Sequence, residues 1–581
     1  MFGKLLVDKP RFCRGDRLGL NEACLESEDY SKVWIQNTEC IKCPPWEYNF
    51  HPVLQQIKVN TSFPSRVIIN NSKEYSKTEC DFVYKFNDFG VYELMKDCRI
   101  NFTDEGENIY LPIIWAVGIV ISIKLLWVLI HRVYETQACR RLIVSIVMKL
   151  DPSGEIFSWE DGITFSSIDD DLRTSEVLTS NLIELRSRRA RRLKSLDTFR
   201  GLSIAIMIFV NYGGGGYWFF KHSIWNGLTL ADVVFPWFIW IMGVSSIISV
   251  QFQLRNSVPR GTLLRRVFTR SVSLIALGLI LNSSKGHNNV ENLRFPGVLQ
   301  RIGIAYLFTS IFAVYMLERE ITTPPHAKYV KDLYVGRYNW IAIILLLSVN
   351  VGVSFFIPVP GCVTGYLGPG GLHDGGKYFN CTGGSAGYID RVVFGEKHMY
   401  HHPTSMKIYD SNVPFDPEGL LGTLTTSIVT AFLGCQAGII LIVYPFHLSR
   451  LWRWGIYCVT LGLFGGALTT FSLDGGVIPI NKNLWSLSFF MITVSLAYLV
   501  MILMYVTVDV YKLWLGSPIR YAGMNPLFLY VGHEVLKTYL PFSWLPYTIS
   551  HAENLFMNIW GTAMWLFIAY FSHKKGFFIT L

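Results

Sequence analysis

Charged side chains are scarce in this sequence, and their scarcity limits the class of protein it can be. Asp, Glu, Lys and Arg make up only 16% of the 581 residues, whereas hydrophobic residues make up 51%. The hydrophobic residues are bunched, and stretches such as 111–131 and 485–508 carry almost no charge over about 20 residues, the length that crosses the hydrocarbon core of a bilayer. A soluble enzyme, a nucleic-acid-binding protein and a disordered scaffold are therefore excluded as the main identity. The sequence predicts a polytopic α-helical membrane protein in contact with lipid.

The sequence also lacks the short signatures of several common enzyme classes. It contains no convincing HExxH, GxSxG, Walker A or Rossmann motif. The glycine-rich stretch 365–384 lacks the following strand and helix that a phosphate-binding loop needs, so we interpret it as an ordinary loop. We expect no metal site and no nucleic-acid partner.

Eleven stretches are candidate membrane spans, which predicts about 11 transmembrane helices. They lie at 111–131, 198–214, 228–249, 267–283, 298–317, 339–358, 419–444, 453–472, 485–508, 521–541 and 557–572. The predicted organisation is a lumenal β-rich domain at 1–110, a first transmembrane helix at 111–131, a cytosolic loop at 132–197, a ten-helix region at 198–572 with a lumenal loop at 359–418, and a cytosolic tail at 573–581.

Basic residues and glycosylation sequons predict the orientation. Lys and Arg are concentrated in short connections between spans, and such enrichment marks the cytoplasmic side. An odd number of spans then places the first 110 residues in a lumen or outside the cell. Four N-x-S/T sequons, at Asn60, Asn70, Asn101 and Asn380, all fall on that side.

Cysteines indicate an oxidising compartment for the same segments. The first hundred residues hold six cysteines, and Cys362 with Cys381 forms a second candidate pair. The spacing of Cys40 and Cys43 permits a redox or a zinc motif, but no βαβ context or companion pair supports either, so structural bridging is favoured. Together with short β-type runs, these cysteines predict a small disulfide-stapled β domain.

The connection at 211–227, between the second and third spans, holds the densest group of candidate functional residues. Four consecutive glycines allow a close approach of backbone to a ligand, and aromatic residues and His222 follow them. Glycine with aromatic residues is also common at membrane interfaces, and a lone histidine is often a structural hydrogen-bonding residue.

Further polar groups lie at or within spans, where they are costly and either form ion pairs or line a functional cavity. These are Asp197, Arg200, Asp232, Gln300, Arg301, His533 and Glu534.

Several motifs carry a specific family resemblance across the whole predicted membrane region. They are LDTFRG at 196–201, FVNYGGG at 209–215, FKH at 220–222, WNGL at 225–228, ADVVFPWF at 231–238, PGVLQRIG at 296–303, GPGG at 368–371, NCTGG at 380–384, GYIDR at 387–391 and YVGHE at 530–534. With these motifs the chain resembles the heparan-α-glucosaminide N-acetyltransferase family, a family of lysosomal transmembrane acetyltransferases.

The resemblance implies transfer of an acetyl group from cytosolic acetyl-CoA to the terminal α-glucosamine amine of heparan sulfate in the lysosomal lumen. It places the catalytic histidine of the family on His222 and a nearby functional asparagine on Asn211. It also implies eleven spans, a lysosomal membrane location and a homodimer.

The implied chemistry suits these residues. We expect the phosphates of CoA to contact basic cytoplasmic residues, for which the candidates are Arg200, Arg265, Arg266 and Arg520. A neutral imidazole at position 222 could act as general base in a direct transfer, or as a nucleophile that accepts the acetyl group first. Direct transfer is narrowly favoured. We expect partial burial among Trp218, Phe219 and Trp225 to keep that ring neutral, and Asn211 to orient it or to bind the oxyanion.

Two other function classes remain open on the sequence. A membrane acyltransferase with a different sugar acceptor would share the same polar spans. A solute transporter would as well, although it would usually show inverted repeats, and no internal repeat is obvious.

Overall fold

The computed structural model describes most of the chain. The described residues are 12–13, 15–27, 30, 32–50, 55–70, 78–135, 193–283, 289–321, 324–327 and 329–579. Most of the predicted cytosolic loop at 132–197 lies outside them.

The chain divides into two compact units. One consists of the residues before 108 together with those from Leu193 onward, and the other spans Asn108–Arg192. The described part of the second unit contains helix α1 (Leu111–Glu135), a 25-residue apolar helix at the position of the first predicted span. Apart from this helix, everything described below belongs to the first unit.

The N-terminal region, which we call the β domain, contains two four-stranded sheets and a short hairpin. The strand orders are β10-β9-β3-β6 and β5-β4-β7-β8, and β3 with β9 is a parallel pair. The strands are β1 (Phe12–Cys13), β2 (Asp16–Arg17), β3 (Glu22–Glu26), β4 (Lys32–Asn37), β5 (Trp46–Asn49), β6 (Gln56–Asn60), β7 (Ser65–Asn70), β8 (Thr78–Tyr84), β9 (Val91–Leu94) and β10 (Ile100–Asp104).

Side chains at alternate strand positions form the core of the β domain. Ile57 and Val59 on β6 are buried while their neighbours are not, because successive residues of a strand face opposite sides of a sheet. Three disulfides join Cys13 to Cys24, Cys40 to Cys43 and Cys80 to Cys98. The predicted disulfide-stapled β domain is therefore confirmed, and the bridge between Cys40 and Cys43 excludes the zinc alternative, since both thiols are consumed.

Helices and the loops between them form the rest of the described chain. They are α2 (Lys194–Asn211), α3 (Leu230–Arg255), α4 (Arg260–Ser283), α5 (Val298–Met316), α6 (Lys331–Val335), α7 (Arg337–Phe356), α8 (Gly384–Phe394), α9 (Met406–Tyr409), α10 (Leu420–Leu424), α11 (Thr426–Val443), α12 (His447–Leu468), α13 (Leu487–Met504), α14 (Ile519–Met524), α15 (Pro526–Leu536) and α16 (His551–Lys574). A π-helical turn (Tyr505–Val510) extends α13.

Seven helical segments in the described ranges are long and apolar enough to cross a membrane. They are Leu111–Ile130, Leu230–Arg255, Val298–Met316, Arg337–Phe356, Leu420–Val443, Leu487–Val510 and His551–Lys574. The predicted polytopic helical fold is confirmed, whereas the count of 11 stays a prediction. The other four predicted spans correspond to α2, α4, α12 and the broken pair α14–α15.

Small residues bring the helices close together. A Cβ on Gly243 of α3 would lie 2.0 Å from the carbonyl oxygen of Ala431 on α11, and one on Gly434 of α11 would lie 2.1 Å from that of Trp240. Both helices are buried on nearly all sides. Close backbone contact through glycine is typical of helices that pack within a bilayer.

The β domain contacts one end of the helical bundle, which we call the β-domain end. The side-chain amide of Asn21 donates to the carbonyl oxygen of Gly216. Tyr409, in the loop at 359–418, donates its hydroxyl to the carbonyl oxygen of Glu39 over 2.9 Å. In the same loop a disulfide joins Cys362 and Cys381, as predicted.

Candidate active site

The connection between α2 and α3 forms two tight turns at the β-domain end. Gly215 has a φ of +69°, a left-handed conformation that a residue with a side chain rarely adopts. Its N–H donates to Asn558 over 2.7 Å, and its carbonyl oxygen accepts from Nδ1 of His551 over 2.9 Å. The Phe220 ring packs edge-on against that of Phe209, with centroids 5.1 Å apart. The connection therefore folds back over the end of α2, and His222 follows two residues later.

His222 is paired with a fully buried carboxylate. Its Nδ1 lies 2.8 Å from Oδ1 of Asp232, whose side chain is 0% exposed. The second carboxylate oxygen accepts from the backbone N–H of Ser223 and from both the N–H and the hydroxyl of Thr229. Thr229 precedes the first turn of α3, so Asp232 reaches back to the helix start as in a capping box. Because Asp232 is held by these donors, it fixes the orientation of the imidazole ring.

Lys482 completes the charge arrangement around the ring. Its Nζ lies 3.0 Å from Nδ1 of His222 and 3.7 Å from Oδ1 of Asp232. Nδ1 can donate to the carboxylate or accept from the ammonium, but a neutral ring cannot do both. In the first tautomer Nε2 is unprotonated and can act as a base, whereas in the second it carries the hydrogen and can only donate a hydrogen bond. Nε2 has no hydrogen-bond partner within the described part of the chain, and the side chain of His222 is 39% exposed.

The side chain of His222 is partly buried, with 39% of it exposed, and the expectation that Trp218, Phe219 and Trp225 provide this burial stays a prediction. Trp218 and Phe219 pack against each other, and Trp218 also contacts Phe63 of the β domain. The Trp225 indole donates to the carbonyl oxygen of Leu367. These aromatic residues attach the connection to its neighbours, while Nδ1 of His222 contacts Asp232 and Lys482.

Asn211 is the last residue of α2, and its side chain contacts α15 and not His222. Its amide nitrogen lies 2.9 Å from Nε2 of His533 and donates to Oε1 of Glu534 over 3.1 Å. The expectation that Asn211 orients the imidazole of His222 is therefore wrong. The two residues assigned by resemblance lie at the same end of the bundle but are held by different partners.

The four arginines predicted to contact CoA fall into two groups. Arg200 is already engaged, since it donates to Gly523 and Ser245 and lies 3.5 Å from the carboxylate of Asp197. Arg520 lies on α14, the helix that Arg200 contacts, and donates to Leu515.

The second group lies at the start of α4. Arg265 is exposed there, and Arg266 donates to Gln253 on α3 over 2.9 Å. Their contact with CoA stays a prediction, and Arg200 has the least remaining hydrogen-bonding capacity of the four.

A cavity of about 330 Å³ lies beside the connection. Its lining includes Asn226, four residues after His222, and the loop residues Tyr366, His373 and Tyr409. Burial raises the pKa of Tyr366 to about 12 and lowers that of His373, so both side chains favour their neutral forms. The side chain of Asn226 accepts from Asn481, the neighbour of Lys482, which connects the cavity to the histidine site.

Known proteins match this chain along nearly its whole length. It is 39% identical over 555 residues to the heparan-alpha-glucosaminide N-acetyltransferase of Mus musculus, covering 91% of this chain and 82% of the mouse protein. The Homo sapiens protein of the same name is 38% identical over 561 residues, covering 91% and 81%. The chain belongs to the heparan-α-glucosaminide N-acetyltransferase family. The predicted family and the prediction of an acetyltransferase are thus confirmed.

The family model for the catalytic region of heparan-alpha-glucosaminide N-acetyltransferase matches residues 192–325. This range contains Asn211, His222 and Asp232. Lys482, His533 and Glu534 lie outside it and reach the site through folding.

The contacts that Asp232, Lys482, His533 and Glu534 make with His222 and Asn211 were not predicted from the sequence. Asp232, His533 and Glu534 were recognisable as polar groups that are costly within a membrane span. The spacing of hydrophobic residues along the chain, however, does not show which distant helices are in contact. Lys482 gave a weaker signal, as a lone cation just before an apolar stretch.

Proposed function

We propose that this member of the heparan-α-glucosaminide N-acetyltransferase family transfers an acetyl group from acetyl-CoA to the terminal α-glucosamine amine of heparan sulfate, with His222 as general base. The observation that carries the proposal is the pairing of a half-exposed imidazole with the buried carboxylate of Asp232, 2.8 Å away. A carboxylate on Nδ1 leaves Nε2 as the basic atom and stabilises the imidazolium that forms.

The proposed reaction needs one proton to pass through His222. Nε2 takes a proton from the glucosamine amine as its nitrogen attacks the thioester carbon. The C–S bond of the tetrahedral intermediate then breaks, and the same proton passes to the departing thiolate of CoA. Asp232 balances the transient positive charge, while Lys482 keeps the buried carboxylate paired during the rest of the cycle.

The cavity beside the connection is the proposed site for the acceptor sugar. Tyr366 and Tyr409 supply ring faces that suit a saccharide, and Asn226 supplies amide hydrogen-bonding groups. The cavity lies at the β-domain end, which we propose faces the lysosomal lumen. CoA would enter from the opposite, cytosolic end, where Arg265, Arg266 and Arg520 are the proposed phosphate contacts. Lysosomal location, glycosylation and a homodimer remain predictions.

The activity test uses the purified full chain with acetyl-CoA and a soluble α-glucosaminide. We expect N-acetylated product by mass spectrometry, and failure to form it would contradict the proposed function. Rapid mixing with radiolabelled acetyl-CoA and no sugar then separates the two schemes. Direct transfer predicts no protein-bound label, whereas stoichiometric label on wild type that disappears in His222→Ala would establish a covalent acetyl intermediate.

A further inference from the structure

Both N–H hydrogens of the Asn211 side-chain amide are used by α15. One amide hydrogen is directed to Nε2 of His533 at 2.9 Å and the other to Oε1 of Glu534 at 3.1 Å. A side-chain amide has two donor hydrogens and one carbonyl oxygen. Because a carboxylate only accepts hydrogen bonds, the nitrogen of Asn211 and not its oxygen must face Glu534.

The hydrogen bonds of His533 agree with this orientation. Its Nδ1 donates to the carbonyl oxygen of Leu529, one helical turn earlier, over 3.0 Å. In a neutral ring this leaves Nε2 as the acceptor for Asn211. The His533 side chain is 0% exposed, and the rings of Tyr212 and Tyr530 lie 6.3 Å and 5.6 Å from it. The ring is therefore held in one place by the bundle.

Only the side-chain oxygen of Asn211 remains for a ligand. Oδ1 has no hydrogen-bond partner among the residues that the structure describes, and Asn211 itself is half-buried at the β-domain end. An oxygen in this position can accept a hydrogen bond but cannot donate one to an oxyanion.

We propose that His533 and Glu534 are positioning residues that aim the oxygen of Asn211 at the amine of the acceptor sugar, an inference that rests on the proposed function. One N–H of the amine donates to Asn211 while another proton leaves to His222. A hydroxyl group has a single hydrogen and cannot satisfy both residues at once. The pair of Asn211 and His222 therefore selects an amine over a hydroxyl at the reacting carbon of the sugar.

The test compares ligand selectivity in α15 variants of the full chain. Glu534→Ala and His533→Ala free the Asn211 amide to rotate. We expect each to raise the KM for a glucosaminide by about two- to tenfold, the effect of losing one hydrogen bond between neutral groups. We also expect each to reduce the preference for a glucosaminide over the matching glucoside, measured as the ratio of their inhibition constants.

Two further variants make the result specific. Glu534→Gln keeps a side-chain oxygen that can accept from Asn211, so it should lose less selectivity than Glu534→Ala. Val535→Ala changes the adjacent residue, which is 52% exposed, and should keep the wild-type ratio. If Glu534→Ala does not fold, Glu534→Met, which keeps the chain length but accepts no hydrogen bond, replaces it.

Unchanged KM and unchanged selectivity in folded Glu534 and His533 variants would overturn the positioning role. So would an equal loss in Glu534→Gln and Glu534→Ala. Either result leaves the proposed function intact, because that function fails only if the wild-type chain does not acetylate the glucosaminide.

Discussion

Nε2 of His551, the first residue of α16, lies 2.8 Å from the carboxylate of Asp88 in the β domain. The other ring nitrogen of His551 contacts the carbonyl oxygen of Gly215, so one side chain joins the β domain to the connection that precedes His222. Burial by itself would raise the pKa of Asp88, but hydrogen bonds from His551, Thr61 and the N–H of Asn21 outweigh it and hold the pKa below its usual value.

Replacing Asp88 tests this junction. A carboxyl group with a lowered pKa stabilises the folded state above its unfolded pKa, and this contribution is lost as the pH falls through its folded pKa. We expect Asp88→Asn to destabilise the protein by about 1–3 kcal/mol at neutral and mildly acidic pH, the cost of leaving buried partners unsatisfied. Thermal unfolding in detergent would measure the loss, which should shrink below about pH 4. An equal loss at every pH would contradict the assignment to an ionised Asp88.

Asp390 should have the opposite pH dependence. Burial raises the pKa of this α8 carboxyl to about 7, the charge of Asp416 adds to the effect, and the hydrogen bond from the N–H of Leu420 opposes it. The folded state thus holds the proton more tightly than the unfolded chain, and stability falls as the pH rises from about 4 to about 7.

Asp390→Asn should remove that dependence, which amounts to up to roughly 4 kcal/mol. The measurement is the difference in Tm between variant and wild type at several pH values. Asp16→Asn, at a side chain that is 77% exposed, is the control and should leave the pH profile unchanged. A wild-type pH profile in Asp390→Asn would show that a group other than Asp390 causes the pH dependence.

The contact between α2 and α14 predicts a severe effect of one methyl group. A Cβ on Gly523 would lie 1.7 Å from the carbonyl oxygen of Asp197, so alanine there must separate the two helices. We expect Gly523→Ala to cost about 1–3 kcal/mol of stability. Gly455→Ala, on α12 with no atom within 4 Å of the added carbon, is the matched control and should be neutral or slightly stabilising. Similar Tm values for both variants would refute the close packing.

The pairing of Asp232 with His222 predicts a large loss of turnover. Asp232→Asn removes the charge that stabilises the imidazolium and allows the wrong tautomer, so kcat should fall by about 10²–10⁴-fold. Asp81→Asn, at a carboxylate in the β domain, should retain wild-type kcat. Near-normal turnover in folded Asp232→Asn would show that the pairing of Asp232 with His222 is not needed for the reaction.

Local features of the fold were predictable from the sequence, because they depend on short-range patterns. Apolar length predicted the polytopic helical fold, and short β-type runs predicted the N-terminal β domain. Helix α14 ends and α15 begins at the pair Asn525–Pro526, where proline removes a backbone donor. Asp197 and Arg200, three residues apart on one helix face, form an ion pair, one of the two roles expected of polar groups within spans. The contacts of His222 with Lys482 and of Asn211 with His533 were not predictable, because each partner lies more than 250 residues away in the chain, Lys482 in the turn before α13 and His533 on α15.

The β domain and the bundle form one compact unit although a separate segment joins them in the chain. Asp88, Asn21 and the bridge between Lys42 and Asp374 hold the two parts together without a covalent bond. Proteolytic cleavage within the joining segment would therefore not, by itself, detach the β domain. A protein nicked there would migrate as two fragments on a denaturing gel and as one particle in gel filtration.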